Sequence, residues 1–489
     1  MKKITNLLIL ALLAIGMGLT SCDEQLDNAV VPGVTPGTDE GEVTSITVDL
    51  SKIDEKYLDT EKTKLQLTVG DEVTLSFTIL PEEMASTEVE LTSADATILS
   101  IDGLKVKALK EGETKVTAKA GDKTAECTVT VAANPLATPL TVEAITAGTI
   151  SVTSPQTGMQ YSLNGGAKTA VSGDISVSAG DKVEFYGNGT AITSYDGTTI
   201  AGGTAEVKVY GNIMSLVDET GFATNTTLTA GNTFKFLFNN NDQLTDASGL
   251  LLPATSLANY CYSHMFMGCT SLTTAPKLPA TSLANYCYNY MFYGCKALNA
   301  APALPAETLA ENCYYRMFEG CTSLATAPAL PATTLKESCY YKMFYGCKAL
   351  NAAPALPATT LANSCYERMF YDCTSLATAP ALPATTLANR CYYMMFQNCT
   401  SLTTAPKLPA ETLADYCYYS MFYGCTALTN AYVKAAYTTE NYKCAFMFKV
   451  TGPTAGTLHT TATNKASWDG VMGSEKAWTN WTAADDWTD

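Results

Sequence analysis

Histidine is nearly absent from this chain of 489 residues, which holds only His264 and His459. That scarcity removes the commonest general base and metal ligand from almost every candidate site. No Gly-x-Ser-x-Gly, glycine-rich phosphate loop or His-Glu-x-x-His occurs, so hydrolase, nucleotide and zinc-protease readings have no motif to stand on. No Asp or Glu position recurs in a context suggesting the carboxylate pair of a glycosidase. Catalysis therefore survives only as the reading of an enzyme with an unrecognised site, and no metal or cofactor is expected. Charged residues are only 16% of the chain and are lopsided, with a formal net charge of -17. No basic stripe is present, which argues against nucleic acid and anionic lipid head groups as partners. Past the N-terminal segment, no apolar run is long enough to span a bilayer.

What the chain has instead is repetition. From residue 251 to 430 a unit of 26 residues recurs seven times. Cys261, Cys287, Cys313, Cys339, Cys365, Cys391 and Cys417 mark one column, and Cys269, Cys295, Cys321, Cys347, Cys373, Cys399 and Cys425 a second. Self-similarity at this period is the signature of a solenoid, whose units bury their apolar faces only by stacking.

Each unit reads as one strand-like segment and one helix. The hydroxyl column Ser256, Ser282, Thr308, Thr334, Thr360, Thr386 and Thr412 suits helix N-caps, with Glu311 and Glu337 closing capping boxes. Gly268, Gly294, Gly320, Gly346, Asp372, Asn398 and Gly424 tolerate the left-handed backbone of a helix end. Between these, Leu283, Cys287 and Met291 fall at i, i+4 and i+8, beside Ala284, Tyr288 and Phe292, forming one broad apolar face. Leu272 to Pro279 reads as the strand-like half, with Leu272, Ala275 and Leu278 inward. The recurring Pro276 column limits the strands to a few residues.

The Phe-x-Gly-Cys-x-x-Leu core with a following Leu-Pro resembles the BspA-type leucine-rich repeats of bacterial surface proteins. The resemblance covers the seven repeats and, more weakly, residues 211–250 and 431–489. It implies non-covalent recognition: adhesion to host proteins or to other cells.

The N-terminus begins with Lys2 and Lys3, continues with the apolar run Leu7 to Leu19, and reaches Leu19-Thr20-Ser21-Cys22. This is the layout of a secretion signal, and its end resembles the lipobox of bacterial lipoproteins. The resemblance implies cleavage before Cys22, lipidation of its sulfur and, with Asp23 and Glu24 following, display on the outer face of the outer membrane. Residues 22–42 form the lipidated Cys and a tether too polar to order itself. Residues 43–132 alternate as half-buried strands do, in Val73, Leu75, Phe77 and Ile79 and again in Cys127, Val129 and Val131. Leu67-Thr-Val-Gly-Asp, Leu80-Pro81 and Val106-Lys-Ala-Leu-Lys-Glu-Gly112 resemble the bacterial immunoglobulin-like group 2 domain. Residues 133–210 suggest a second small β domain, with turns at Gly165-Gly166 and Asn188-Gly189. Residues 211–250 read as a degenerate first repeat that caps the stack, and 431–489 as the C-terminal cap, which carries all four tryptophans: Trp468, Trp478, Trp481 and Trp487.

The fold class that follows is multidomain: an all-β immunoglobulin-like sandwich region, then an α/β leucine-rich-repeat solenoid. The seventeen cysteines are expected as buried thiols, because columns on neighbouring helices would lie about 8–10 Å apart, beyond disulfide reach. The Tyr column (Tyr262, Tyr288, Tyr314 and onward) does not vary and reads as packing. The positions that vary read as solvent- or partner-facing, and tyrosine gives contact area at low entropic cost. Tyr290, Tyr293, Arg316, Tyr345, Tyr371 and Tyr423 are thus the candidate binding residues, and Cys22 the lipidation site. Expected partners are a host or bacterial surface protein or glycan, plus the outer membrane through the lipid. The alternative within binding is glycan or nutrient capture for an outer-membrane uptake system.

Overall fold

The computed structural model describes residues 42–187, 197–448, 455–472 and 480–488. The expected signal peptide, Cys22, the tether, the Asn188-Gly189 turn and Trp478 lie outside the described residues. The chain divides into two compact units after Ala133.

The first unit is all-β among its described residues apart from short 3-10 turns. Leu65–Thr68, Lys123–Ala132, Gly112–Ala120 and Glu90–Ser93 form one sheet in that order, with the first pair parallel. Glu72–Thr74, Lys105–Ala108 and Leu99–Asp102 form a second. Leu65, Leu99, Val106, Val116 and Val129 fill its core. The alternating run at residues 73–79 is split between partners. Val73 pairs with Val106, while Phe77 to Leu80 turn to pair with Ser45–Val48. Cys127 is buried, as its inward phase predicts.

The second unit joins four expected segments into one body. A six-stranded sheet runs Thr169–Ala170, Gln160–Leu163, Lys182–Tyr186, Leu140–Ala144, Val207–Asn212, Leu244–Leu251. Its last pair is parallel, and Asp246 bridges onward to Thr274 in the first full repeat. Leu140, Val142, Phe185 and Val209 therefore share one continuous core with Leu244, Leu272 and the repeats. Where the sequence suggested a separate small domain at 133–210, the structure has the closing end of the solenoid. Alternation predicts a half-buried strand but does not say what covers it.

The repeats carry a larger correction: the Cys-Tyr-x-x-Met-Phe segments are not helices. The backbone runs as a ribbon of tight turns, with left-handed residues every four positions, as at Tyr260 (φ 60°), His264 (φ 57°) and Gly268 (φ 74°). Hydrogen bonding alternates. Cys261, Ser263, Met265 and Met267 donate three residues back within the coil, to Ala258, Tyr260, Tyr262 and His264. Tyr260, Tyr262, His264 and Phe266 donate instead to Asn285, Cys287, Asn289 and Met291 of the next coil. In an α-helix these N–H groups would all be used internally, leaving none for the neighbour.

Packing explains why the ribbon forms. Identical side chains stack coil on coil: Phe292 on Phe318 at 5.6 Å and Tyr314 on Tyr340 at 5.8 Å between ring centroids, nearly parallel. Ladder strands lie about 4.8 Å apart, whereas packed helices stay about 8–10 Å apart. Only the ribbon lets each Tyr, Met, Phe and Cys cover its own copy. The hydroxyl column, expected as N-caps, is a bridge position: Ser256 pairs with Ser282 and Ser282 with Thr308, each in parallel. The strand-like half is mostly single bridges, such as Ala300 to Thr326, and becomes a regular strand only at Thr404–Leu408. Leu272 and Leu278 point inward as expected. Ala275 is half-buried, and Pro276 is itself buried.

At the C-terminal end, the parallel ladder continues through Asn430–Val433, Gly456–His459 and Trp481–Ala484. The one α-helix among the described residues, Ala462–Asp469, starts at Thr461, whose side chain accepts from the Asn464 N–H. It places the buried Trp468 edge-on to Tyr437, with its indole N–H donating to the Ala435 carbonyl. Trp481 covers Phe448. These two tryptophans close the core. No helix among the described residues is long and apolar enough to cross a membrane.

Candidate functional site: the outer face of the turn ribbon

The four-residue rhythm sorts the ribbon into two sides. Cys261, Tyr262, Met265, Phe266 and Cys269 are buried, as are their counterparts in every repeat. The positions of Tyr260, Ser263, His264 and Met267 form four outer columns, largely half-buried at their rims. These outer columns are where the repeats differ.

Their side chains form a continuous aromatic and cationic ladder. His264 stacks on Tyr290 at 4.5 Å, and Tyr290 meets Tyr293 and Tyr315 at 5.6 and 5.5 Å. The Arg316 guanidinium lies over the rings of Tyr290 and Tyr315, at 5.4 and 5.6 Å. Tyr315 stacks on Tyr341 at 4.6 Å, and Tyr345 on Tyr371 at 4.6 Å. Lys342 sits 4.9 Å from the Tyr345 ring. Arg368 and Arg390 both lie over Tyr393, at 5.2 and 4.2 Å, and Tyr393 stacks on Tyr419 at 5.0 Å. Cation–π contacts of this kind contribute about 0.5–1 kcal/mol where exposed.

Two carboxylates anchor the cations from beneath. Glu367 is 2% exposed and accepts a two-pronged bond from Arg390, at 2.8 and 2.9 Å, with Arg368 at 3.7 Å. Glu319, 9% exposed, pairs with Arg316 at 3.2 Å. Burial pushes the Glu319 carboxyl above its ordinary range, partly opposed by Arg316, Lys342 and Arg368. Burial, with Arg316 and Arg368 on either side, pushes the Lys342 ammonium below its own. At the other end of the ladder, burial and then Lys235 lower His264 to about 4, so its ring is neutral at physiological pH.

The residues singled out in the sequence fall in two of these columns. Tyr290, Tyr293 and Arg316 form one cluster, and Tyr345 and Tyr371 another. Tyr423 stands in the same column as Tyr371 but beyond Gln397, whose amide donates to the Tyr371 hydroxyl at 3.2 Å. Tyr315, Tyr341, Tyr393, Glu367 and Arg390 were missed. A helical reading assigned the outer face to other columns and left the Ser263 and Tyr260 positions unexamined, although both columns vary as visibly as the rest.

The cysteines are a scaffold for this face. The sixteen described cysteines are buried thiols. The second column donates across coils, as from Cys295 Sγ to the Phe266 carbonyl and Cys321 Sγ to the Phe292 carbonyl, both at 3.0 Å. Coils about 4.8 Å apart are within disulfide reach, so the separation inferred from helices is not what keeps these sulfurs apart. In-register stacking points neighbouring thiols the same way, toward backbone acceptors. Burial raises Cys269, Cys365 and Cys425 to about 12.

Residues 235–377 and 311–450 match the family model of the BspA type leucine rich repeat region, which finds six copies. The repeat region is thus of BspA type, a kind of repeat generally associated with protein binding at surfaces. No curated protein matches the chain significantly.

Proposed function

We propose that this chain is a surface lipoprotein whose solenoid recognises ligands on host or bacterial cells without covalent chemistry. The carrying observation is the outer ribbon face: constant residues are stacked inside, while tyrosines, arginines and a lysine vary outside on a rigid, hydrogen-bonded ladder. Rigid aromatic and Arg-rich surfaces suit binding, because little side-chain freedom is lost on contact. In this reading Cys22 carries the lipid and residues 23–42 are the tether. The all-β unit, read as immunoglobulin-like, is a spacer from the outer membrane, and residues 134–489 present the face.

A chain of residues 42–489 probed against arrays of host proteins and glycans tests this. Specific capture that is weakened by Ala at Tyr290, Tyr345, Tyr371 and Tyr423, without loss of folding, is the expected result. Capture unaffected by those changes would refute the assignment of the face. For the anchor, Cys22→Ala is expected to release the protein from the membrane fraction and remove the lipid mass from its N-terminal peptide. Unchanged fractionation and mass would refute lipidation.

A further inference from the structure

Arg316, Lys342 and Arg368 occupy one column in three successive coils. Ladder spacing puts them in a row, about 4.8 Å from one coil to the next. Like charges so close repel, and something must hold them there. Arg316 has Glu319, and Arg368 shares Glu367 with Arg390. Lys342, in the middle, closes no ion pair with a carboxylate among the described residues and rests on the rings of Tyr341 and Tyr345. Two carboxylates therefore face four cations, in a protein whose net charge is -17. Burial together with both arginines disfavours the Lys342 charge, and a bound anion would relieve that cost. Exposed Glu311 and Glu337 border the row five residues upstream and Asp372 lies downstream, held by Asn398 at 2.7 Å. An anion is thus confined to the central column.

On these grounds we infer that the row Arg316, Lys342, Arg368, with its flanking tyrosine edges, is a binding site for an acidic polysaccharide bearing carboxylate or sulfate groups. This deepens the recognition reading above and rests on it. Three observations favour a polysaccharide over an acidic peptide. The flanking rings are stacked on one another, so their faces are covered and their edges and hydroxyls face the ligand. Those hydroxyls suit a polyhydroxylated chain, and Tyr341 already accepts from Arg368 at 3.4 Å. The apolar clefts that could seat peptide side chains lie instead on the extended-segment side, lined by Leu250 to Pro253 with Pro279 and by Leu382, Pro383 and Pro409. Guanidinium groups bind carboxylate and sulfate oxygens through paired donors, and the lysine acts as a point charge between them.

The test uses residues 42–489, which keep every described segment, with heparin, polygalacturonate, neutral dextran and polyglutamate as probes. Binding to heparin or polygalacturonate but not dextran is expected. It should weaken steeply between about 0.1 and 1 M salt, where the screening length falls from about 10 to 3 Å. The triple change Arg316→Gln, Lys342→Gln, Arg368→Gln is expected to lower affinity by at least about tenfold. Lys277→Gln, Lys296→Gln, Lys348→Gln removes the same charge from exposed positions off the row and should leave binding near wild type. Thermal melting confirms that both variants fold. Carboxylated and sulfated probes together identify which anion is preferred. No binding to either probe, equal loss in both triple variants, or tighter binding of polyglutamate would overturn the inference. Array ligands that still bind the row variant but are lost on the Tyr changes would sink this site while leaving the recognition reading intact.

Discussion

Position 338 separates a turn ribbon from a helix by the sign of one measurement. Ser338 is half-buried, has φ 52° and donates its N–H to Asn363 of the next coil at 3.1 Å. A left-handed conformation costs a residue with a Cβ about 1–2 kcal/mol, and costs glycine essentially nothing. Glycine gives back about 0.4–1 kcal/mol through its freer unfolded chain. In the ribbon, Ser338→Gly should therefore be more stable than Ser338→Ala by about 0.5–1 kcal/mol. In a helix interior the order reverses, because glycine is worse than alanine by about 1 kcal/mol. Urea unfolding of residues 134–489 carrying each change resolves the difference. Gly346→Ala is the companion: at φ 70° the new methyl would meet nothing closer than Gly320, at 4.0 Å, so any loss is conformational and, after the same unfolded-chain offset, should be about 0.5–1 kcal/mol. An alanine variant at 338 that is more stable than the glycine variant would refute the ribbon.

Three further outcomes follow from the packing. Phe344→Ala removes a buried ring stacked at 5.7 Å on both Phe318 and Phe370; it should cost about 3–5 kcal/mol and split the unfolding transition, since coils contact only their neighbours. The neutral His264 takes up a proton on unfolding between its ordinary value near 6.5 and about 4. Stability should thus fall as pH drops through that window and level off below it, by up to about 2–3 kcal/mol, and His264→Gln should flatten this limb in pH-dependent unfolding. Iodoacetamide without reductant should label none of the column cysteines in the native protein and all of them in denaturant, read by peptide mass spectrometry; cystine-linked peptides from residues 261–425 would contradict free thiols.

The period, the inner columns and the left-handed end of each ribbon were legible because they repeat as residue types. Gly268 and its counterparts do have positive φ. The ribbon itself was not legible. Cys287 and Met291, four apart, satisfy a period of 3.6 as well as one of 4 over so short a span. The other left-handed positions hold mostly Tyr, Arg, Lys and Ser, with His264, Asn312 and Met394; only the single Asn and His are residues enriched in that region, too few to mark a column. The end of the solenoid was misjudged because Val183 and Phe185 show only that a strand is half-buried, not that it adjoins the repeats. The cationic row was hidden for a similar reason. Arg316, Lys342 and Arg368 are dispersed among nine basic and eight acidic residues between positions 251 and 430. They become a patch only when coils stack in register.

The shared core also decides where the chain can be cut. A fragment starting at residue 211 would strip Leu140, Val142 and Phe185 from Leu244 and Leu250 and expose the end of the stack, whereas residues 134–489 keep it closed. The most direct test of recognition by the solenoid is therefore to compare residues 42–133 and 134–489 for binding the ligand that the 42–489 chain captures. Fragment 134–489 is expected to match the affinity of the longer chain, and fragment 42–133 to show no binding. Binding by 42–133 alone would reverse the roles and contradict the assignment.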